Sequence, residues 1–118
     1  MSRFRTMFTA AAGTLALAAF LQPAAMAGVS KADAAKINSY VESNGLSCMG
    51  CHAIDHKVMG PAFDAVAKKY KGKAGATADV AKRIADGSSG VWGSVPMPSG
   101  QATPAQAKKL SEMILSLD

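Results

Sequence analysis

Apolar positions recur at helical spacing through most of this chain, in four separate stretches. Ser30 followed by Asp33 is an N-cap pattern, and Ala34, Ile37, Tyr40 and Val41 then share one helical face until Asn44-Gly45 ends the run. Phe63, Val66, Ala67 and Tyr70 repeat the period ahead of Gly72, with Pro61 suited to a first helical position. A third helix is expected from a Thr77 cap, with Val80 and Ile84 inward and Gly87 as its stop. Thr103-Pro104-Ala105-Gln106 combines an N-cap, a proline at N1 and a capping-box glutamine, and Ala107, Leu110, Ile114 and Leu117 form the stripe behind it. Between the third and fourth helices, SSGVWGSVPMPSG (88–100) is too rich in Gly, Pro and Ser for a helix, and its prolines argue against a central strand. No alternating strand pattern and no internal repeat occurs. The expected class is all-α.

The N-terminal segment has a different pattern. Arg3 and Arg5 precede an apolar stretch from about Ala10 to Leu21, which breaks at Pro23 and reaches the small-x-small sequence Ala25-Met26-Ala27. This predicts a secretory signal peptide over residues 1–27, cleaved after Ala27. The run is shorter than a bilayer-spanning helix needs and no stop-transfer flank follows, so no membrane anchor is expected after processing. Residues 28–118 then form a single domain, short enough that a disulfide, a metal or a cofactor would be expected to support its core.

The formal net charge is +5, with Arg3 and Arg5 contributing two of those charges in the leader. The mildly basic remainder has no basic stripe interleaved with aromatic residues, which argues against nucleic-acid binding. Lys68, Lys69, Lys71 and Lys73 cluster, and with Lys57 they can form a positive face that steers an acidic protein partner. Equally, they can be a solvated helix end opposing the macrodipole.

Both cysteines and one of the two histidines fall in SCMGCH, residues 47–52. In an exported protein a Cys-x-x-Cys pair can be a short-loop disulfide or a thioredoxin-like redox centre. Neither accounts for His52, and the redox reading lacks the βαβ pattern that accompanies it. A zinc site would have only Cys48, Cys51, His52 and His56, bunched without a second ligand cluster. Cys-x-x-Cys-His matches covalent haem attachment instead. Two thioether bonds reach two neighbouring substituents on one porphyrin edge, from Cys48 and Cys51, and the next residue, His52, turns its imidazole under the iron.

A sixth ligand, or an open site for a gas or substrate, must follow. His56 is four residues from His52, at most about 14 Å of chain, too little to reach the opposite face of a macrocycle; it is expected at the surface. Met59 could arrive only taut, over about 25 Å at full stretch. Met49 lies within the attachment loop, and Met113 sits beside the fourth helix's buried stripe, where methionine is core filler. Met97 stands between Pro96 and Pro98 in the helix-free segment, on backbone biased to extended conformations that can hold its side chain toward a cofactor. His52 and Met97 are therefore the expected iron ligands, the usual pair in electron-transfer cytochromes c. A gas-sensing or peroxidase-like haem domain with an open distal site is the alternative.

CHAIDHKVMGPAFDAVAKKY followed by RIADGSSGVWGSVPMPSG resembles the short class I cytochromes c of bacterial periplasms, which carry electrons to nitrite reductases or terminal oxidases. The likeness runs from about Tyr40 to Leu117. It implies a small fold of about four short helices wrapped around one covalent haem c, with no catalytic residues. It also implies a monomer that takes electrons from a membrane cytochrome complex and delivers them to a reductase or oxidase. Cys48 and Cys51 match the thioether positions, His52 and Met97 the ligands. Pro61 matches the residue whose carbonyl accepts from the other ring nitrogen of the ligating histidine. Arg83 and Trp92 match positions that hydrogen-bond or cover haem propionates. The sequence departs from the pattern after the methionine, where Ser99 and Gly100 stand in place of a proline and an asparagine whose side chain can reach the sulfur.

Overall fold

The computed structural model describes residues 28–117. The expected leader, residues 1–27, lies outside them. Four α-helices follow in order, α1 (Lys31–Ser43), α2 (Phe63–Tyr70), α3 (Ala76–Asp86) and α4 (Pro104–Leu115), with one short 3-10 turn at Cys48–Gly50. Among the described residues there is no strand, only an isolated antiparallel bridge between Ser88 and Met97. No described helix is long and apolar enough to cross a membrane.

Local chemistry explains most helix ends. Ser30 accepts from the Asp33 N–H through its side chain at 3.1 Å, satisfying one of the donors orphaned at the start of α1. At α4 the capping box forms in both directions: Gln106 N–H donates to Thr103 Oγ1 at 3.3 Å, and Thr103 N–H donates to Gln106 Oε1 at 3.0 Å. Two helix starts differ from the sequence expectation. Pro61 lies outside α2, because Ala62 takes the extended N-cap conformation and the helix begins at Phe63. Thr77 does not cap α3. Gly75, in the left-handed region at φ 72°, turns the corner instead, and α3 starts at Ala76 without a side-chain cap.

The stripes close on one core. Ile37 and Val41 of α1, Phe63, Val66, Ala67 and Tyr70 of α2, Val80 and Ile84 of α3, and Ala107, Leu110 and Ile114 of α4 are buried together with Leu117. α4 is the hub: it packs against each of the other helices, most extensively against α3. Among the described residues the one buried polar side chain, Ser111, is fully enclosed and donates its hydroxyl to the Thr77 carbonyl at 2.7 Å, pinning α4 to the first turn of α3. Ser111→Ala is expected to destabilise the holoprotein by about 1 kcal/mol, lowering Tm by about 4–8 °C, with an unchanged haem spectrum. A thermal melt read in parallel by far-UV circular dichroism and visible absorbance checks both.

Candidate haem site

The helices leave a cavity of about 290 Å³ between the attachment loop and the segment joining α3 to α4. Its lining is mostly apolar. Phe63, Val66 and Tyr70 come from α2, Val80 and Ile84 from α3, Leu110 and Ile114 from α4. The predicted site residues all border it: Cys48, Cys51, His52 and Pro61 on one stretch, Arg83 on α3, and Trp92 and Met97 on the later loop. A slot walled by hydrocarbon, with two thiols at its edge and both an imidazole and a thioether on its lining, fits a flat apolar group carrying iron.

The attachment loop is organised by its own backbone. The 3-10 turn places the N–H groups of Cys51 and His52 on the Cys48 carbonyl, at 3.2 and 3.0 Å. No disulfide joins the two cysteines; Cys48 is half-buried and Cys51 exposed. Burial pushes the Cys48 thiol above its ordinary pKa.

Three contacts orient His52. Its Nδ1 lies 2.8 Å from the Pro61 carbonyl. A carbonyl only accepts, so Nδ1 carries the proton and Nε2 keeps the lone pair a metal would use. Phe63 stacks beside the ring, with centroids 5.1 Å apart and planes 24° off parallel. Gly60 supplies the third face: a Cβ built there would sit 2.4 Å from His52 Cε1, 2.9 Å from Nδ1 and 3.0 Å from Nε2. Hydrogen bonds on either side hold this stretch in place, from Gly60 N–H to the Cys51 carbonyl at 2.8 Å and from Phe63 N–H to the Ala53 carbonyl at 2.9 Å. Gly60→Ala is expected to displace the imidazole and destabilise the holoprotein by about 1–3 kcal/mol, the range for a methyl group forced into packed space. Guanidinium unfolding followed at the haem absorption band measures it.

On the opposite flank, Arg83 donates from Nη1 to Ser88 Oγ at 3.4 Å and places Nε 3.2 Å from Asp79 Oδ1. That ion pair is misaligned for hydrogen bonding, and Nε is buried without an acceptor. A guanidinium N–H left open at a cavity wall suits an anionic substituent of a cofactor. Trp92 lines the same flank, with Lys69 Nζ 5.1 Å from the centre of its ring.

The other candidates separate. His56 is exposed and pairs with Asp55 at 2.9 Å, away from the cavity. Met59 borders the cavity on the cysteine side, its Sδ 4.0 Å from Cys51 Sγ, and is largely exposed. Met49 is exposed and Met113 packs against the core; neither lines the cavity. Sequence reasoning missed Gly60 as a neighbour of the imidazole, Phe63 as a stacking partner as well as a core residue, and Ser88 as the residue bridged to Met97. Gly60 has no periodicity that would mark it, and the helical repeat marks Phe63 only as a core position.

No protein-family model matches the chain. Similar proteins are found directly. It is 42% identical over 114 residues to cytochrome c-552 of Nitrosomonas europaea, an alignment covering 94% of this chain and 99% of that one. It is 49% identical over 69 residues to cytochrome c-551 of Pseudomonas aeruginosa, covering 58% of this chain and 66% of that protein. The crystal structure of wild-type Nitrosomonas europaea cytochrome c552 superposes with a TM-score of 0.63 at 40% identity, covering 69% of this chain and 99% of that one.

The chain belongs to the bacterial class I cytochromes c. As such a cytochrome it is an electron carrier with one covalently attached c-type haem, and Cys48, Cys51 and His52 stand in the attachment pattern. The disulfide, thiol-redox and zinc readings of the cysteine pair fall away, as does the gas-sensing or peroxidase-like alternative. The all-α expectation agrees with the four helices and with the folds of its structural neighbours.

Proposed function

We propose that this cytochrome is a periplasmic single-electron shuttle that takes electrons from a membrane cytochrome complex and passes them to a reductase or oxidase. It performs no substrate chemistry of its own, acts as a monomer and is released by cleavage after Ala27. His52 and Met97 would hold the haem iron, and Cys48 and Cys51 would carry the thioether links. The observation that carries this reading is that the imidazole behind Cys51 and the thioether between two prolines line one apolar cavity.

When bound, the haem supplies a one-electron ferrous/ferric couple whose potential its axial ligands and surroundings set. The residues of this chain do the rest. Pro61 holds the His52 tautomer and strengthens the ring's basicity. The walls formed by Val80, Ile84, Leu110 and Ile114 exclude water and disfavour the more highly charged oxidised state. The open N–H of Arg83 and the indole of Trp92 receive the propionate side.

Electron exit is supported by the surface around the attachment loop. Met49, Val58, Met59 and Val95 are the exposed large hydrophobic residues among those described, and the two that border the cavity together with Cys51, Met59 and Val95, make its apolar rim. Lys57 and the lysines at the end of α2 would orient an acidic partner onto that rim at long range. Such an interface is small and short-lived, as turnover of a carrier requires.

The deciding experiment is spectroscopic. The oxidised holoprotein is expected to show the far-red sulfur-to-iron charge-transfer band, and the reduced protein to leave carbon monoxide unbound. No such band, combined with tight carbon monoxide binding, would return the site to an open-coordination class.

A further inference from the structure

The segment carrying Met97 borders the cavity through Val95, Pro96 and Pro98, and Ser99 and Gly100 lie at the surface. Its backbone attachment runs to the end of α3. Ser88 N–H donates to the Met97 carbonyl at 3.0 Å, and Met97 N–H donates to the Ser88 carbonyl at 2.7 Å. Gly100 N–H closes the loop onto the Ala85 carbonyl at 3.0 Å, in the last turn of α3. Since Pro96 and Pro98 have no amide hydrogen, Met97 is the only backbone donor in its tripeptide, and the clasp consumes it.

Gly87 makes this approach possible. As the C-cap of α3 it lies at φ 86°, ψ 169°, a region open essentially to glycine alone. A Cβ there would stand 2.8 Å from the Met97 oxygen, 2.9 Å from the Ser99 nitrogen and 3.2 Å from the Pro98 carbonyl carbon. These are backbone atoms, which cannot swing aside as a side chain would. Gly93 offers a natural comparison in the same loop, outside the cavity lining, with φ 120° and open space where its Cβ would be.

We propose that Gly87 and Ser88 form a clasp that keeps the Met97 thioether in place as the distal ligand, with Gly87 as the positioning residue that lets the methionine loop close on α3. This rests on the reading of Met97 as that ligand. A side chain at 87 forces the loop backbone away, lengthens the paired Ser88–Met97 hydrogen bonds, and leaves the methionine side chain more conformations in which its sulfur is off. An external ligand then competes against a larger sulfur-off population, and its apparent affinity rises in proportion to that population.

The test compares Gly87→Ala with Gly93→Ala in the oxidised holoprotein, titrated with imidazole. Gly87→Ala is expected to tighten imidazole binding by about tenfold or more, through a matching rise in the sulfur-off fraction, and to weaken the charge-transfer band. Gly93→Ala bears positive-φ backbone strain alone and is expected to stay within about twofold of the parent. A parent protein without the band would defeat the ligand reading itself; a parent that shows it, alongside two variants that titrate alike, would overturn the clasp. Should Gly87→Ala fail to mature, amide exchange in the parent decides instead. Saturating imidazole is expected to speed exchange at the Met97 amide by about tenfold, as a local opening would, and unchanged protection there refutes the proposal.

Discussion

With Met97 as the proposed ligand, Met97→Ala is expected to lower the reduction potential and open the iron to external ligands. Loss of the thioether removes the neutral, soft partner that favours the reduced state, and water or an added ligand takes its place. The expected drop is on the order of 0.1–0.2 V, a fraction of the roughly 0.8 V range that axial ligation spans. Potentiometric titration gives the shift, and imidazole and carbon monoxide titrations give the gained affinity. The fold is expected to survive, because Met97 is only partly buried at the edge of the core. A variant spectrum identical to the parent's would move the ligand to Met59, the other methionine bordering the cavity.

The Cys48→Ala/Cys51→Ala double variant, stripped of haem by acidic organic solvent, is expected to lose cooperative folding. Extraction removes the group from this variant but not from the parent, in which both thioethers hold it. An apolar cavity of about 290 Å³ then remains at the centre of the chain. At about 24 cal/mol per Å³ such a void costs roughly 7 kcal/mol, an upper figure because the cavity is partly open to solvent. Domains of this size have total stabilities of about 5–15 kcal/mol, the smallest of them at the low end. Far-UV circular dichroism with a urea titration checks this: a broad, weakly sloping transition is expected. A sharp sigmoidal melt after extraction would show that the helices close the cavity by themselves. Ser111→Ala, which touches no cavity wall, should by contrast leave haem retention intact.

The helix faces were readable because each is a local property. Ile37 and Val41, or Leu110 and Ile114, lie one turn apart, so any helix containing them puts them together whatever the rest of the chain does. Capping at Ser30 and Thr103 was equally local, since donor and acceptor are three residues apart. The misplaced starts of α2 and α3 have a different origin. Pro61 gives its carbonyl to His52 and precedes an extended Ala62. At α3 the left-handed turn at Gly75 begins the helix before Thr77 can act as a cap.

The attachment chemistry is likewise sequence-determined. Two thiols three residues apart reach one porphyrin edge, and the imidazole next to the second is thereby brought under the iron in any fold that accommodates the group, so spacing alone identifies Cys48, Cys51 and His52. Met97 could be singled out by its flanking prolines, but only tertiary structure brings it to the cavity that His52 borders. The same holds for the two glycines. Gly60 matters because a ring from residue 52 fills the space its Cβ would need, and Gly87 because the backbone of residues 97–99 does. A missing side chain has no period and no partner in a one-dimensional pattern; its significance is steric and arises only when distant segments of the chain are pressed to within 3 Å of each other.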